Sequence, residues 1–492
     1  MKTSNPRATK AVYPIVCQIV NAIPTQFIAE TAKAHRVLSR TFSPKSHVAA
    51  MPCCQVSKTE SLNSICDVAR ASDALWRSMG VTPPMRDTFA NANAHRPADM
   101  AKDLYWKAFN HLTGIAPKVG KGPHRGYCFR IKAPMFAVDS STIKLTMNSF
   151  DWARHRRAKA AAKLHLTFDL GNRLPSFAVV EDAAHHDSAR AAELTAHLKR
   201  GDIAVADRAY TDFAFMNGLD GRGVRFVTRQ KRNMKMAVVK ELRAPAAATS
   251  ERKTQILGDE TVVPAKKSTA AKYKGTLRRV TAVVEIQGQM KEMLFLTNDP
   301  RWSARTVAEI YRDRWGVETF FKELKQTCQI HDFIGYSENA VRWQVWIGLL
   351  AHLILRYLRY LSKWGLSFSR LAAIVRGTLW IRRNLVETLC LYGTAGPVKS
   401  AAERPKRLYF QAVLDFGPRG RRIARIGTQR EANALCVSSA KCRLFEISYV
   451  SLDDCFAALQ IVYPPCGGRR IPPRLIDLTV YGIVPFFPVS TI

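Results

Sequence analysis

From Phe136 to Thr228 the chain alternates short apolar runs with polar breaks and amphipathic stretches, a rhythm that restricts it to a sheet flanked by helices. The runs Phe136 to Asp139, Leu164 to Leu170 and Phe177 to Val180 have the length of strands. A helix is expected from Ser188 to Lys199, stopped by Gly201, and then a strand from Ile203 to Ala206 that ends at Asp207. A short helix near Asp212 to Leu219 and a strand from Arg225 to Thr228 follow. Three early strands and then alternating helix and strand predict an α/β fold built on a mixed sheet.

The 492 residues exceed what one hydrophobic core covers comfortably, so further units are expected on either side. Residues 1–130 have the pattern of short helices broken by turns, a small packing or nucleic-acid-binding region. Residues 131–335 hold the sheet, interrupted at 230–298 by a Lys- and Ala-rich stretch, Ala244 to Lys274, and two strands, Arg279 to Ile286 and Met293 to Leu296. Ser303 is placed to cap a helix over Ala304 to Gln326, which contains no Pro and one Gly, Gly316. Helices from Asn339 to Trp364 and from Ser367 to Leu391 fill a helical region over 336–420, whereas 421–492 has little periodicity.

Charge selects the partner. Against 39 Asp and Glu stand 75 Lys and Arg, a formal net charge of +36, spread along the chain and not gathered in one tail or amphipathic helix. That pattern suits a nucleic acid, which such a surface binds by releasing counterions, better than a membrane surface. The longest apolar run, Val345 to Leu355, falls short of the roughly 20 residues a spanning helix requires, and Pro14 and Gln18 interrupt the apolar stretch that a secretory leader would need. Eleven cysteines with no C-x-x-C pair argue for reduced thiols, not zinc or a disulfide framework, and so for a cytoplasmic protein.

Asp139 in Phe136-Ala-Val-Asp139-Ser-Ser-Thr142 and Asp207 in Ile203-Ala-Val-Ala-Asp207-Arg-Ala-Tyr210 both sit where an apolar strand is expected to end. An acid at the end of a buried strand serves a turn or a cap, or it serves chemistry. The chemistry that uses several distant carboxylates is phosphodiester cleavage, in which two hard Mg²⁺ ions activate the nucleophile and neutralise the leaving oxygen. A third acid stands on the helix Ala304 to Gln326. Seven residues turn an α-helix through roughly 700°, so Tyr311 and Lys325 fall within about 20° of Glu318 around the axis. Arg314 and Lys322, four residues to either side, complete a face of one acid, three cations and a phenol, suited to a metal beside a DNA backbone. An exposed salt-bridged helix is the plain alternative.

Tyr311, Arg314, Glu318 and Lys325 reproduce the spacing Y-x2-R-x3-E-x6-K, which resembles the signature of DDE transposases of bacterial insertion sequences, in the Tyr-Arg-Glu-Lys (YREK) branch. The likeness extends to Lys163-Leu-His165, His186-Asp187 and the segments around Asp139 and Asp207, covering about residues 60–395. It implies an RNase H-like catalytic domain with a mostly β insertion, flanked by helical N- and C-terminal regions. It further implies that Asp139, Asp207 and Glu318 are catalytic and hold Mg²⁺, with Mn²⁺ as substitute, while Tyr311, Arg314 and Lys325 contact DNA; Lys322 is expected to join them from its place on the same helix face. The expected partners are the element's terminal inverted repeats and target DNA, engaged by a homodimer that associates with the nucleoid; no membrane is involved. Two alternatives keep most of these residues: an RNase H-like nuclease or resolvase that cuts without joining, and a transposase-derived DNA-binding protein that does not cut. His165 and His186 are open to structural, metal or DNA roles, Asp187 to capping, and Trp302, Trp315 and Phe295 to core packing or base stacking.

Overall fold

In the computed structural model the described residues are 13–393, less short stretches at 60, 121–130, 146–153, 156–158, 183–186, 243–253, 287–288, 329 and 331–332, together with 410–415, 421–426 and 443–444. The chain divides into two units, residues 1–395 and 396–492.

The first unit opens with helices α1 (Ile15–Asn21), α2 (Thr25–Ala34), α3 (Pro44–Ser57), α4 (Leu62–Ala71), α5 (Asp73–Ser78), α6 (Arg86–His95) and α7 (Ala98–Ile115). Serine hydroxyls start several helices of this unit: Ser43 accepts from the Ser46 amide at 3.0 Å, and Ser61 from the Ser64 amide at 3.1 Å.

Strands β1 (Met135–Leu145), β2 (Arg154–His155), β3 (Lys159–Asp169) and β4 (Leu174–Asp182) then form an antiparallel group. Helix α8 (Asp187–Leu194) leads to β5 (Ile203–Ala206), and α9 (Phe213–Gly221) leads to β6 (Arg225–Arg229). β5 lies parallel to β1, and β6 parallel to β5. The resulting order β4-β3-β1-β5-β6, three antiparallel strands followed by two parallel ones, is the RNase H-like arrangement.

The sheet does not stop there. β7 (Met236–Glu241), β8 (Thr254–Pro264), the short α10 (Lys267–Ala270), β9 (Leu277–Ile286) and β10 (Gln289–Thr297) follow, and β10 pairs antiparallel with β6. Residues 230–298 therefore extend the sheet where the sequence suggested an interruption, and β8 lies within the stretch identified there only as Lys- and Ala-rich. Arg278 fastens the extension, with its fork on the buried Asp259 at 2.7 and 2.6 Å and on the carbonyl of Trp302.

The expected helix Ala304 to Gln326 is broken in two, α11 (Ala304–Asp313) and α12 (Trp315–Thr327). Ser303 caps the first, accepting from the Thr306 amide at 3.1 Å. The step falls at Arg314, whose carbonyl takes the Val317 amide three residues on, at 2.9 Å. Close packing accompanies it: a Cβ on Gly316 would stand 3.3 Å from Leu170 Cδ2 beyond the end of β3. α13 (Glu338–Leu361) is buried along most of its length, with Trp343 and Trp346 in the core, and α14 (Phe368–Gly377) and α15 (Leu385–Gly393) replace the single helix expected after Ser367. Among the described residues no helix is long and apolar enough to cross a membrane.

In the second unit, β11 (Phe410–Asp415) pairs antiparallel with β12 (Arg421–Ile426) and β13 (Arg443–Leu444), elements the weak periodicity there did not indicate.

Candidate active site

Three elements bring the acids together. Asp139 belongs to β1, but not at its end: β1 continues to Leu145 because β3 pairs with it across Ser140, Ser141 and Thr142 despite their polarity. Asp207 directly follows β5, as expected, and precedes a 3-10 turn, Arg208–Tyr210. Glu318 lies in the first turn of α12. Asp139, Asp207 and Glu318 line one cavity of about 560 Å³, together with Arg314, Lys322 and Lys325.

Arg314 is 8% exposed and works as a fork, donating to Asp139 Oδ2 at 2.7 Å and to Glu318 Oε1 at 2.5 Å. Tyr311, equally buried, donates its hydroxyl to Asp207 Oδ1 at 2.9 Å. Both side chains thus face the acids. Lys325 Nζ donates to the Thr142 carbonyl at 2.8 Å, and Lys322 is exposed. The break at Arg314 removes the single straight helix from which the common face was expected, yet Arg314, Glu318 and Lys325 still line one cavity and Tyr311 reaches Asp207 of the same cavity.

Burial pushes the Asp139 carboxyl up from an ordinary 3.8 to about 6, although Arg314 and the Ser140 amide pull it down; Asp207 and Glu318 add to the rise. Burial likewise raises the Tyr311 phenol well above its usual range. Asp139 is therefore a carboxylate still short of positive charge with one guanidinium already bound. Its companions are carboxylate oxygens too, the donors that a hard divalent ion prefers, so the residues fit such an ion. Among the described residues no three acid, His or Cys side chains are drawn around one point, and Arg314 bridges Asp139 and Glu318.

The other candidates separate. His165 is fully buried behind the site and lies 3.0 Å from the Tyr210 hydroxyl. Asp187 begins α8 and accepts from Ser140 Oγ at 2.8 Å. His186 lies outside the described residues. Phe295 is core, Trp302 packs under the Arg225 guanidinium, and Trp315 is 47% exposed. Gln326 also lines the cavity and was not singled out by sequence; its place one turn after Lys322 is the only signal that could have found it.

A family model described as the transposase DDE domain matches residues 131–354. A Sinorhizobium fredii protein named as transposase y4zB is 27% identical over 302 residues, 61% of this chain and 79% of its own length. A Geobacillus stearothermophilus protein named as the transposase for insertion sequence element IS5377 is 27% identical over 229 residues, 46% of this chain and 58% of its own. A Synechocystis protein named as a transposase for insertion sequence element IS4SA is 23% identical, covering 46% and 60% respectively. The piggyBac transposase synaptic complex with hairpin DNA, solved by cryo-EM, shows a TM-score of 0.36 and 11% identity over 82% of this chain and 90% of that one. At that level the likeness is slight, and the fold assignment rests on strand order.

Proposed function

We propose that this chain, whose residues 131–354 match the transposase DDE domain, is a DDE transposase dependent on divalent metal, and that it cuts its element's terminal inverted repeats and joins them to target DNA through Asp139, Asp207 and Glu318. The supporting observation is that carboxylates from β1, the end of β5 and α12 line one cavity with lysines among its lining residues. The ions these acids would hold, Mg²⁺ with Mn²⁺ as substitute, supply activation of the attacking oxygen and neutralisation of the leaving one.

The chain's own residues do the rest. Arg314 keeps Asp139 and Glu318 in register from opposite sides of the cavity, and the Tyr311 hydroxyl fixes the orientation of Asp207. Lys322 and Lys325 take the DNA backbone, while Arg314 and Tyr311 meet only a phosphate that enters among the acids. The YREK branch is proposed from Tyr311, Arg314, Glu318 and Lys325. A homodimer is proposed because two ends must be paired, and a cytoplasmic, nucleoid-associated location from the net charge and the cysteine pattern.

The test incubates the purified full chain and Mg²⁺ with duplexes bearing the inverted repeats that flank its coding sequence. Cleaved and joined products are expected, and Asp139→Ala, Asp207→Ala and Glu318→Ala each abolish both while end binding persists. Cleavage with no joined product, across target sequences, would replace this reading by a nuclease.

A further inference from the structure

Beside the acids lies a buried polar cluster that none of the roles above employs. His165 of β3 is 0% exposed and Tyr210, in the turn after Asp207, is 0% exposed as well. His165 Nδ1 and the Tyr210 hydroxyl stand 3.0 Å apart. On the other side of the ring, Nε2 faces Glu181 Oε1 of β4 at 3.0 Å, within ionic reach but off the hydrogen-bond line. Arg190 of α8 holds the second oxygen of Glu181 at 2.8 and 2.5 Å. Ser140, next to Asp139, donates to Asp187 at 2.8 Å and has the Tyr210 hydroxyl as a neighbour, while Lys163 lies 3.2 Å from the same Asp187 oxygen.

The proton positions follow from these neighbours. A carboxylate before Nε2 favours the proton there, which leaves Nδ1 to accept from the Tyr210 hydroxyl. Burial lowers the tendency of the ring to take a second proton, against the opposing pull of Glu181 and Asp187. Glu181 is held by Arg190, which also pairs with the exposed Glu193, and Asp187 lies beside Lys163. Such a network is rigid because its charges and most of its polar atoms are paired within it.

Its attachment points are specific. Ser140 adjoins Asp139 in sequence and lies opposite His165 in the β1–β3 ladder. Tyr210 closes the 3-10 turn that begins after Asp207, and its amide bonds the Asp207 carbonyl at 3.0 Å. We propose that His165 and Tyr210 are positioning residues for the phosphodiester chemistry: acting through Ser140 and Asp187, they fix the separation and direction of Asp139 and Asp207. This rests on the reading of those aspartates as metal-holding acids. The apolar environment and the hydroxyl-to-imidazole contact set where the acids stand before any ion arrives.

Tyr210→Phe removes one hydroxyl from a filled core position and keeps the ring packing, so it tests the claim without a cavity. In the full chain, Mn²⁺ affinity is measured by electron paramagnetic resonance, alongside thermal melting and single-turnover cleavage of inverted-repeat DNA. Tyr210→Phe is expected to weaken Mn²⁺ binding and slow cleavage by about tenfold, with raised Mn²⁺ restoring the rate and end binding unchanged. His165→Asn, which retains an acceptor near the Nδ1 position, is expected to keep more activity than His165→Leu. Wild-type Mn²⁺ affinity in Tyr210→Phe overturns the proposal, whether cleavage is normal or falls only in step with melting. Asp139→Asn run in parallel separates the two readings. If it binds Mn²⁺ and cuts normally, the aspartates are not the metal site; if it is dead while Tyr210→Phe is normal, only the positioning role fails.

Discussion

Replacing Asp139 by Asn should stabilise the metal-free protein at pH 7.5 and destroy its chemistry. Folding moves this carboxyl from an ordinary 3.8 up to about 6, with burial as the main cause and Arg314 the largest opposing one. The folded chain thus binds the proton more tightly than the unfolded chain. Below about pH 4 both states carry it and nothing is lost. As pH rises from 4 through 6 the folded state becomes progressively less stable, and above 6 the loss is complete. The interval between 3.8 and about 6, at 1.36 kcal/mol for each decade, makes that loss about 3 kcal/mol as an upper figure.

Asn is a neutral isostere that never incurs the loss and can still accept from Arg314. An unfolding entropy of about 2.1 cal/mol/K per residue over the 395-residue unit is about 0.8 kcal/mol/K, so about 3 kcal/mol corresponds to roughly 4 °C. Calorimetry in EDTA should therefore show Asp139→Asn melting about 4 °C above wild type at pH 7.5 and within about a degree of it near pH 4.5. Adding Mn²⁺ at pH 7.5 should raise the wild-type midpoint and leave the variant's unmoved. A variant no more stable than wild type at pH 7.5, or an equal difference at both pH values, would refute the assignment of Asp139 as an under-compensated acid.

Arg314→Lys should cleave as poorly as Arg314→Ala, about 10–100-fold below wild type in single-turnover assays, because an ammonium cannot span Asp139 and Glu318 as the planar fork does. Lys322→Ala and Lys325→Ala should each reduce the slope of log affinity for end DNA against log salt by about one, read from binding titrations at several salt concentrations. Arg278→Ala strands the buried Asp259 and should cost about 3–5 kcal/mol in urea unfolding, with little change in the metal requirement of the surviving folded protein.

The parts of this fold that the sequence made legible are those set by local chemistry. Ile203 to Ala206 is apolar throughout and forms β5 with those bounds, and Ser303 caps α11 as its hydroxyl and the following helix formers suggested. Asp139 was misplaced to a strand end because Asp, Ser, Ser and Thr have a loop's composition; only the ladder with β3, set by residues some 25 positions on, carries the strand through them. The break at Arg314 was invisible for a similar reason. No Pro or Gly stands at that residue, and the step arises where Gly316 packs against Leu170 and the guanidinium is drawn to two acids. Likewise the pairing of β10 with β6, which makes the extension part of the main sheet, is a tertiary contact without a local signature. The Tyr, Arg, Glu and Lys spacing survived the broken helix because it records which side chains meet the acids, not the axis they share.

The charge arrangement at the cavity links DNA to metal. Three carboxylates, Asp139, Asp207 and Glu318, share one cavity with Arg314, which pairs with Asp139 and Glu318, and with Lys325 and the exposed Lys322. A DNA backbone that recruits those lysines to its phosphates withdraws compensation from the acids and adds negative charge of its own. If the acids are the metal site proposed above, their affinity for a divalent cation should rise when DNA is bound, and by linkage the cation should tighten DNA by the same factor. Asp139, Asp207 and Glu318 would hold that ion, and Arg314, which here joins Asp139 to Glu318, would offer its guanidinium to a phosphate entering the cavity. The same side chain that joins two of the acids before DNA arrives would then also serve the substrate.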